Sequence, residues 1–254
     1  MIEIEKKFHF SRNWLTDEEK VHHPLSELLE KSQFLKKQTF VDVYYDTAEY
    51  SLTCLDIWLR KRETQFECKV PASFMKEYEY YYSNNISSLE LIEKEQKKLL
   101  NAEQTGNGRQ LVDQYKELTN YEDIGKFLNY ILFNQESSPE LNDMMKKLTP
   151  FVSLQTTRTS YLYGDEFKID LDECSCLFPK QILNVCDVGE IELMVSSENE
   201  IEIASHKILK FFTQFKLDTS LVKSKLFTAL EKTNVKHMEI LQKAGVLFKR
   251  MVKC

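Results

Sequence analysis

Four pairs of like-charged residues sit at i, i+2 spacing: Glu3 and Glu5, Arg60 and Arg62, Asp170 and Asp172, and Glu190 and Glu192. Lys7 extends the first pair by one more step. Ile4, Leu171 and Ile191 separate the carboxylates. On a β-strand alternate side chains share a face, so each pair projects to one side of a sheet. A solvated sheet face explains any one pair taken singly. The set as a whole is different, because whole strands carry one sign of charge. Like charges on neighbouring strands repel unless an ion of opposite sign bridges them. Carboxylates bind hard divalent cations through oxygen, and Mg²⁺ favours carboxylates together with phosphate oxygens and water. Arginine presents a planar fork that matches phosphate. Six carboxylates facing several basic residues therefore describe a metal–polyphosphate site.

The familiar backbone cradles for phosphate are missing. The chain has no GxxxxGK[ST] and no GxGxxG, and only six glycines among 254 residues. Side chains, not a glycine-rich loop, must hold any phosphate. His9, His22, His23, His206 and His237 are scattered and receive no role.

The elements that position these charges follow from periodicity. Ile2, Ile4 and Phe8 alternate with charge and predict an opening strand. Leucines at helical spacing after Pro24 predict a helix near 24–36. Residues 39–47 predict a strand, 55–62 and 64–70 a hairpin, and the tyrosine-rich 76–83 another strand. Residues 86–149 carry Leu, Ile, Glu and Lys at helical spacing, broken at Gly106-Asn107-Gly108, and predict two or three helices. Strands resume over Phe151–Leu154, Thr159–Tyr163, Phe167–Leu171 and Val188–Val195. Amphipathic helices are expected over 199–215 and 221–243. With no internal repeat or low-complexity linker, one α+β domain spanning 1–254 is expected, with a helical insertion at about 84–150.

Composition limits the partners. The chain is 42% hydrophobic and 29% charged, an ordinary globular balance. Its formal net charge of −6 disfavours sequence-independent nucleic-acid binding, which needs surplus Lys and Arg. No signal segment opens the sequence, and no apolar run approaches the ~18 residues of a membrane span. The six cysteines form no CxxC pair and have no histidine at zinc spacing, which fits reduced thiols. A cytoplasmic monomer without nucleic-acid or membrane partner is expected.

Glu3-Ile4-Glu5-Lys6-Lys7 resembles the ExExK signature of the CYTH superfamily, the triphosphate tunnel metalloenzymes. Tyr44-Tyr45-Asp46-Thr47, Ser51-Leu52, Trp58-Leu59-Arg60-Lys61-Arg62 and Glu67-Cys68-Lys69 follow in an order similar to the thiamine triphosphatase branch. Phe151-Val152, Arg158, Ile169-Asp170-Leu171-Asp172, Gly189-Glu190-Ile191-Glu192 and Ser224-Lys225-Leu226 continue the likeness. The resemblance implies an eight-stranded closed antiparallel β-barrel with a polar interior and helices packed outside. It implies metal binding by Glu3, Glu5, Asp170, Asp172, Glu190 and Glu192. It implies triphosphate binding by Lys7, Arg60, Arg62, Lys69, Arg158 and Lys225, and contact of Trp58 with the organic part of the substrate. Tyr44 and Lys69 match a pair tied to catalysis in that branch. The implied cofactor is Mg²⁺, with Mn²⁺ or another divalent cation as alternatives. The implied reaction is hydrolysis of the terminal phosphate of thiamine triphosphate or a related small triphosphate. A broad tripolyphosphatase or nucleoside triphosphatase, an adenylate cyclase and a noncatalytic polyphosphate-binding module are the alternatives.

The sequence also departs from that pattern. The family carries a further inward glutamate on the strand after Lys69, where the expected strand reads Glu77-Tyr78-Glu79-Tyr80-Tyr81-Tyr82. A basic residue usually precedes the arginine at 158, but Gln155, Thr156 and Thr157 stand there. The segment 84–150 is longer than in the vertebrate enzymes.

Overall fold

The alternation at the start of the chain makes a strand whose apolar face turns outward. The computed structural model describes residues 1–11, 24–105, 113–134, 141–218 and 222–247. In it Ile2, Ile4 and Phe8 of β1 (Ile2–His9) are buried beneath helices outside the barrel, while Glu3, Glu5 and Lys7 face its interior. The other strands are β2 (Gln33–Asp46), β3 (Trp58–Arg62), β4 (Gln65–Pro71), β5 (Asp113–Leu118), β6 (Thr149–Tyr163), β7 (Phe167–Phe178) and β8 (Ile182–Val195). They close into a barrel in the order β1-β5-β4-β3-β2-β6-β7-β8. Every neighbouring pair is antiparallel. The expected eight-stranded barrel is therefore present. Closure gives every strand a hydrogen-bonded neighbour on both sides over part of its length.

Helices pack against the barrel. They are α1 (Pro24–Glu30), α2 (Ala72–Ser83), α3 (Ser88–Thr105), α4 (Tyr121–Phe133), α5 (Leu141–Met145), α6 (Ile201–Gln214), α7 (Lys225–Thr233) and α8 (Val235–Lys243). One apolar cluster joins Leu59, Cys68 and Val70 of the wall to Phe74, Leu91, Ile124 and Phe127 of α2, α3 and α4. Another joins Ile4, Phe8, Ile169, Leu171 and Ile191 to Ile208, Phe211 and Phe212 of α6. The apolar layer lies between barrel and helices, which leaves the interior free to be charged. Gly189 belongs to this packing. A Cβ there would fall 2.1 Å from Cζ of Phe8, its partner across the β1–β8 ladder.

Four expectations need correction. The segment 76–83 is helix, not strand: Phe74, Met75, Tyr78 and Tyr82 recur at helical spacing and pack on Phe127 and Tyr130. Aromatic residues favour strands only where a half-buried pleated surface receives them, and here a helical stripe does. The first helix ends at Glu30, where Ser32 Oγ donates to the Leu28 carbonyl at 2.7 Å and the chain enters β2. The last helical segment is two helices. Asn234 breaks it and caps α8, its side chain accepting from the His237 N–H at 3.1 Å. The segment 84–150 is not purely helical, because it supplies β5, a barrel strand between β1 and β4. Gly106-Asn107-Gly108, His22, His23, Cys254 and the start of the expected helix at 221 lie outside the described residues.

Candidate functional site

Barrel order gathers six of the interior carboxylates on consecutive strands. Strands β7, β8 and β1 are consecutive and carry Asp170, Asp172, Glu190, Glu192, Glu3 and Glu5. Glu5 stands opposite Glu192, and Asp170 opposite Glu190. Strands β4, β3 and β6 carry Lys69, Arg60, Arg62 and Arg158. Lys225 enters from α7, where Ser224 accepts from the Phe227 N–H at 3.2 Å and caps the helix. That cap fixes Lys225 as the first helical residue, with its ammonium 2.7 Å from Asp172.

The two arcs are tied together by charge-assisted hydrogen bonds. Arg158 donates from Nε to Asp172 Oδ1 and from Nη2 to Asp172 Oδ2, each at 2.6 Å. It also reaches Asp170, and Glu190 at 3.0 Å. Lys69 bonds both oxygens of Glu3 at 2.9 and 3.0 Å. Lys7 pairs with Glu5 and lies 3.6 Å from Glu190. Arg62 forks onto Asp42 at 2.7 and 2.9 Å. Arg60 bonds Glu67 at 2.7 Å and Glu117 at 3.3 Å. The Phe40 ring lies 4.0 Å from the Arg62 guanidinium, and 5.8 and 5.9 Å from those of Arg158 and the Lys225 ammonium. Its face helps to hold three cations close together.

Burial makes these pairings matter. It pushes the Glu3 carboxyl up to about 8 in spite of Lys69. Burial would raise Glu5 as well, but Lys69 and Lys7 hold it well below the usual carboxylate range. Asp172 is likewise held low by Lys225 and Arg158 against the effect of burial. Glu192 is raised by burial. Burial alone would lower Lys69, Arg158 and Lys225, yet their carboxylate partners raise all three.

The organic wall lies beside the basic arc. Trp58 donates from Nε1 to Asp56 at 2.9 Å and meets Phe227 edge to face at 5.5 Å. Asp56 is fully buried, has a left-handed backbone (φ 61°), and also accepts from the Tyr115 hydroxyl at 2.9 Å. A non-glycine residue held there carries strain, here balanced by two hydrogen bonds that orient aromatic rings. Trp58, Tyr44, Tyr115 and Phe227 border a cavity of about 330 Å³ whose other walls are the charged arcs. That volume lies at the small end of ligand sites.

The structure brings most of the expected residues to this cavity: Glu3, Glu5, Lys7, Tyr44, Trp58, Arg60, Arg62, Lys69, Arg158, Glu190, Glu192 and Lys225. Asp170 and Asp172 sit behind Arg158, fully buried. Tyr44 and Lys69 line the same cavity but lie on strands separated by β3: Tyr44 is opposite Arg60 and Lys69 opposite Trp58. Three charged residues escaped the sequence reading. Asp42 shares strand parity with Tyr44, a visible signal. Lys168 shares parity with Asp170 and bonds Asp170 and Glu192, each at 2.6 Å. Glu117 is the inward acid on the strand that follows Lys69 around the barrel, and Lys69 is its ladder partner. That correction places the acid on β5, not on the tyrosine-rich segment, which is α2. Three helices around β5 hid its short alternation.

Among the described residues two groups of carboxylates fit a hard cation. In Glu3, Glu5 and Glu192, and in Asp170, Glu190 and Glu192, one oxygen per residue lies within 4.8 Å of the others. All five are buried and offer only oxygen, the donor set of Mg²⁺ or Mn²⁺. Asp172 belongs to neither group and is engaged by Arg158 and Lys225. Among the described residues no helix is long and apolar enough to cross a membrane.

A CYTH domain model matches residues 1–224. Among curated proteins no sequence matches the chain. Several solved structures are similar. The PH1819 protein from Pyrococcus horikoshii OT3 is 17% identical, with a TM-score of 0.47, covering 91% of this chain and 99% of that one. The PH1012 protein of the same organism is 11% identical, with a TM-score of 0.41, covering 85% and 91%. HpAC1 from Hippeastrum, described as an adenylyl cyclase candidate with a dominant triphosphatase activity, is 14% identical, with a TM-score of 0.45, covering 91% and 96%.

Proposed function

Since the chain belongs to the CYTH family, we propose that it is a divalent-metal-dependent triphosphatase that removes the terminal phosphate of a small triphosphate, thiamine triphosphate first among them. The observation that carries this reading is the split interior: carboxylates on β7, β8 and β1 facing arginines and lysines on β3, β4, β6 and α7. A triphosphate chain brings several negative charges, and such a basic arc can replace their hydration. Lys69, Arg60, Arg62, Arg158 and Lys225 would bind and orient its oxygens. Their guanidinium and ammonium groups would also stabilise charge gathering on the leaving diphosphate. Glu3, Glu5, Glu190, Glu192 and Asp170 would hold the divalent ion. A divalent ion held by these carboxylates would supply charge neutralisation to the phosphate chain.

The thiamine preference rests on the aromatic border. Trp58, locked by Asp56 and Phe227, presents an indole beside the basic arc. Such a ring can stack on a thiazolium or pyrimidine. The protein in this reading acts as a cytoplasmic monomer on a free small molecule, without nucleic-acid or membrane partners.

The test is a product-resolved assay with thiamine triphosphate, tripolyphosphate and ATP, each with Mg²⁺ and Mn²⁺. Orthophosphate release with thiamine triphosphate ahead supports the full reading. Equal release from all three leaves a general triphosphatase. Diphosphate and a cyclic nucleotide from ATP would make it a cyclase, and binding without turnover a noncatalytic module.

A further inference from the structure

Beyond Asp172 the inward face of β7 continues to Cys174, and the inward face of β8 runs back from Glu190 to Cys186. The two cysteines are direct partners across the antiparallel ladder. Directly opposed residues of such a ladder have Cα atoms roughly 4.5–5.5 Å apart, inside the range a disulfide spans. The two thiols are within hydrogen-bonding reach of one another, and the Thr156 hydroxyl lies 3.6 Å from the Cys174 sulfur. Cys174 is buried, whereas Cys186 is partly exposed. Both are free thiols, and the triphosphate reading uses neither.

Among the described cysteines only Cys174 and Cys186 face each other across a ladder. The thiolate is the nucleophilic form of cysteine.

We propose that Cys174 and Cys186 form an oxidisable dithiol site that takes hydrogen peroxide as its oxidant and closes to a disulfide between β7 and β8. The Cys174 thiolate attacks one peroxide oxygen; the O–O bond breaks and hydroxide leaves, gaining a proton to become water. The Cys186 sulfur then attacks the Cys174 sulfenic sulfur. The S–O bond breaks, the S–S bond forms, and the hydroxyl leaves with the Cys186 proton as a second water. Two thiols lose two electrons, and peroxide gains them. The bond would staple the two strands that carry Asp170, Glu190 and Glu192 in their present register. The site does not depend on which triphosphate the barrel accepts, or on whether it hydrolyses one.

The experiment treats the full chain with hydrogen peroxide, blocks residual thiols with an alkylating reagent, and maps non-reduced peptides by mass spectrometry. The expected result is a cross-linked pair containing Cys174 and Cys186, reversed by dithiothreitol, with a higher midpoint of thermal unfolding before reversal. Cys186→Ser should lose both the cross-link and the shift while its reduced form melts like the reduced parent. Both cysteines recovered as alkylated thiols, or cross-links confined to Cys54, Cys68, Cys176 or Cys254, would overturn the proposal. The peptide map of the unaltered chain decides the question even where Cys186→Ser fails to fold.

Discussion

Arg158 grips Asp172 with both edges of its guanidinium, Nε on one carboxylate oxygen and Nη2 on the other, each at 2.6 Å. The pair is buried and spans neighbouring strands β6 and β7. Removing one partner leaves an uncompensated charge in a poorly hydrated interior. Arg158→Met is expected to destabilise the fold by about 3–5 kcal/mol, toward the lower end because Lys225 remains on Asp172. The double variant Arg158→Met/Asp172→Asn should cost less than the sum of the two single changes. Denaturant unfolding of the three variants measures the coupling, and strict additivity would contradict the pairing.

Glu117 offers a different balance of effects. Its side chain is 30% exposed, and its partner Arg60 keeps Glu67 and Asp42 without it. Glu117→Gln should leave the thermal midpoint nearly unchanged and lower kcat/KM roughly ten-fold, about 1.4 kcal/mol, by loosening the Arg60 fork. A large loss of stability with unaltered turnover would make Glu117 a wall residue only.

Trp58 separates substrates. Trp58→Ala should reduce kcat/KM for thiamine triphosphate more than for tripolyphosphate, by the ~1–2 kcal/mol of a stacking contact, roughly ten-fold. Trp58→Phe keeps a ring but loses the hydrogen bond to Asp56, and should fall between the two. Equal losses on both substrates would assign the indole to packing against Phe227 alone.

Chelation should abolish phosphate release while the barrel stays folded. Lys69, Lys168, Lys7 and Arg158 already counter the clustered carboxylates, so their repulsion is met within the protein. Phosphate assays and circular dichroism melts in excess chelator check both halves. Undiminished turnover after exhaustive chelation rules out the metal requirement.

His237 sets an acid limb of stability. It is buried, stacked on Tyr50 at 3.6 Å, with Nε2 2.9 Å from the Thr53 hydroxyl, and burial lowers it to about 4. Between pH 6.5 and 4 the unfolded chain binds a proton that the folded one refuses, so stability is lost as pH falls through that window. The effect is on the order of 3 kcal/mol. Asp46 works in the opposite sense. Burial raises it to about 6, so the folded chain holds its proton between pH 3.8 and 6, and stability declines as pH rises there. Comparing His237→Gln with its parent across pH isolates the histidine: the gap between their unfolding free energies should shrink toward pH 4. A constant gap would deny the linkage.

The sequence by itself determined which side chains share a face. Parity is local: two residues apart on a strand means one side of the wall, so Glu3 with Glu5, Arg60 with Arg62, Asp170 with Asp172 and Glu190 with Glu192 were legible as pairs. The apolar residues between them also foretold an outer face in need of cover. Tertiary structure alone decided which pairs meet. That β7, β8 and β1 are neighbours, that Arg158 takes Asp172, and that Lys225 arrives from a helix 53 residues further on depend on ladder hydrogen bonds and chain closures between distant segments. The same holds for Glu117, whose strand is six residues long and gains its identity only by pairing with β1 and β4. The tyrosine run at 78–82 could satisfy either period, and a helix won because Phe127 and Tyr130 offered it a stripe to pack against.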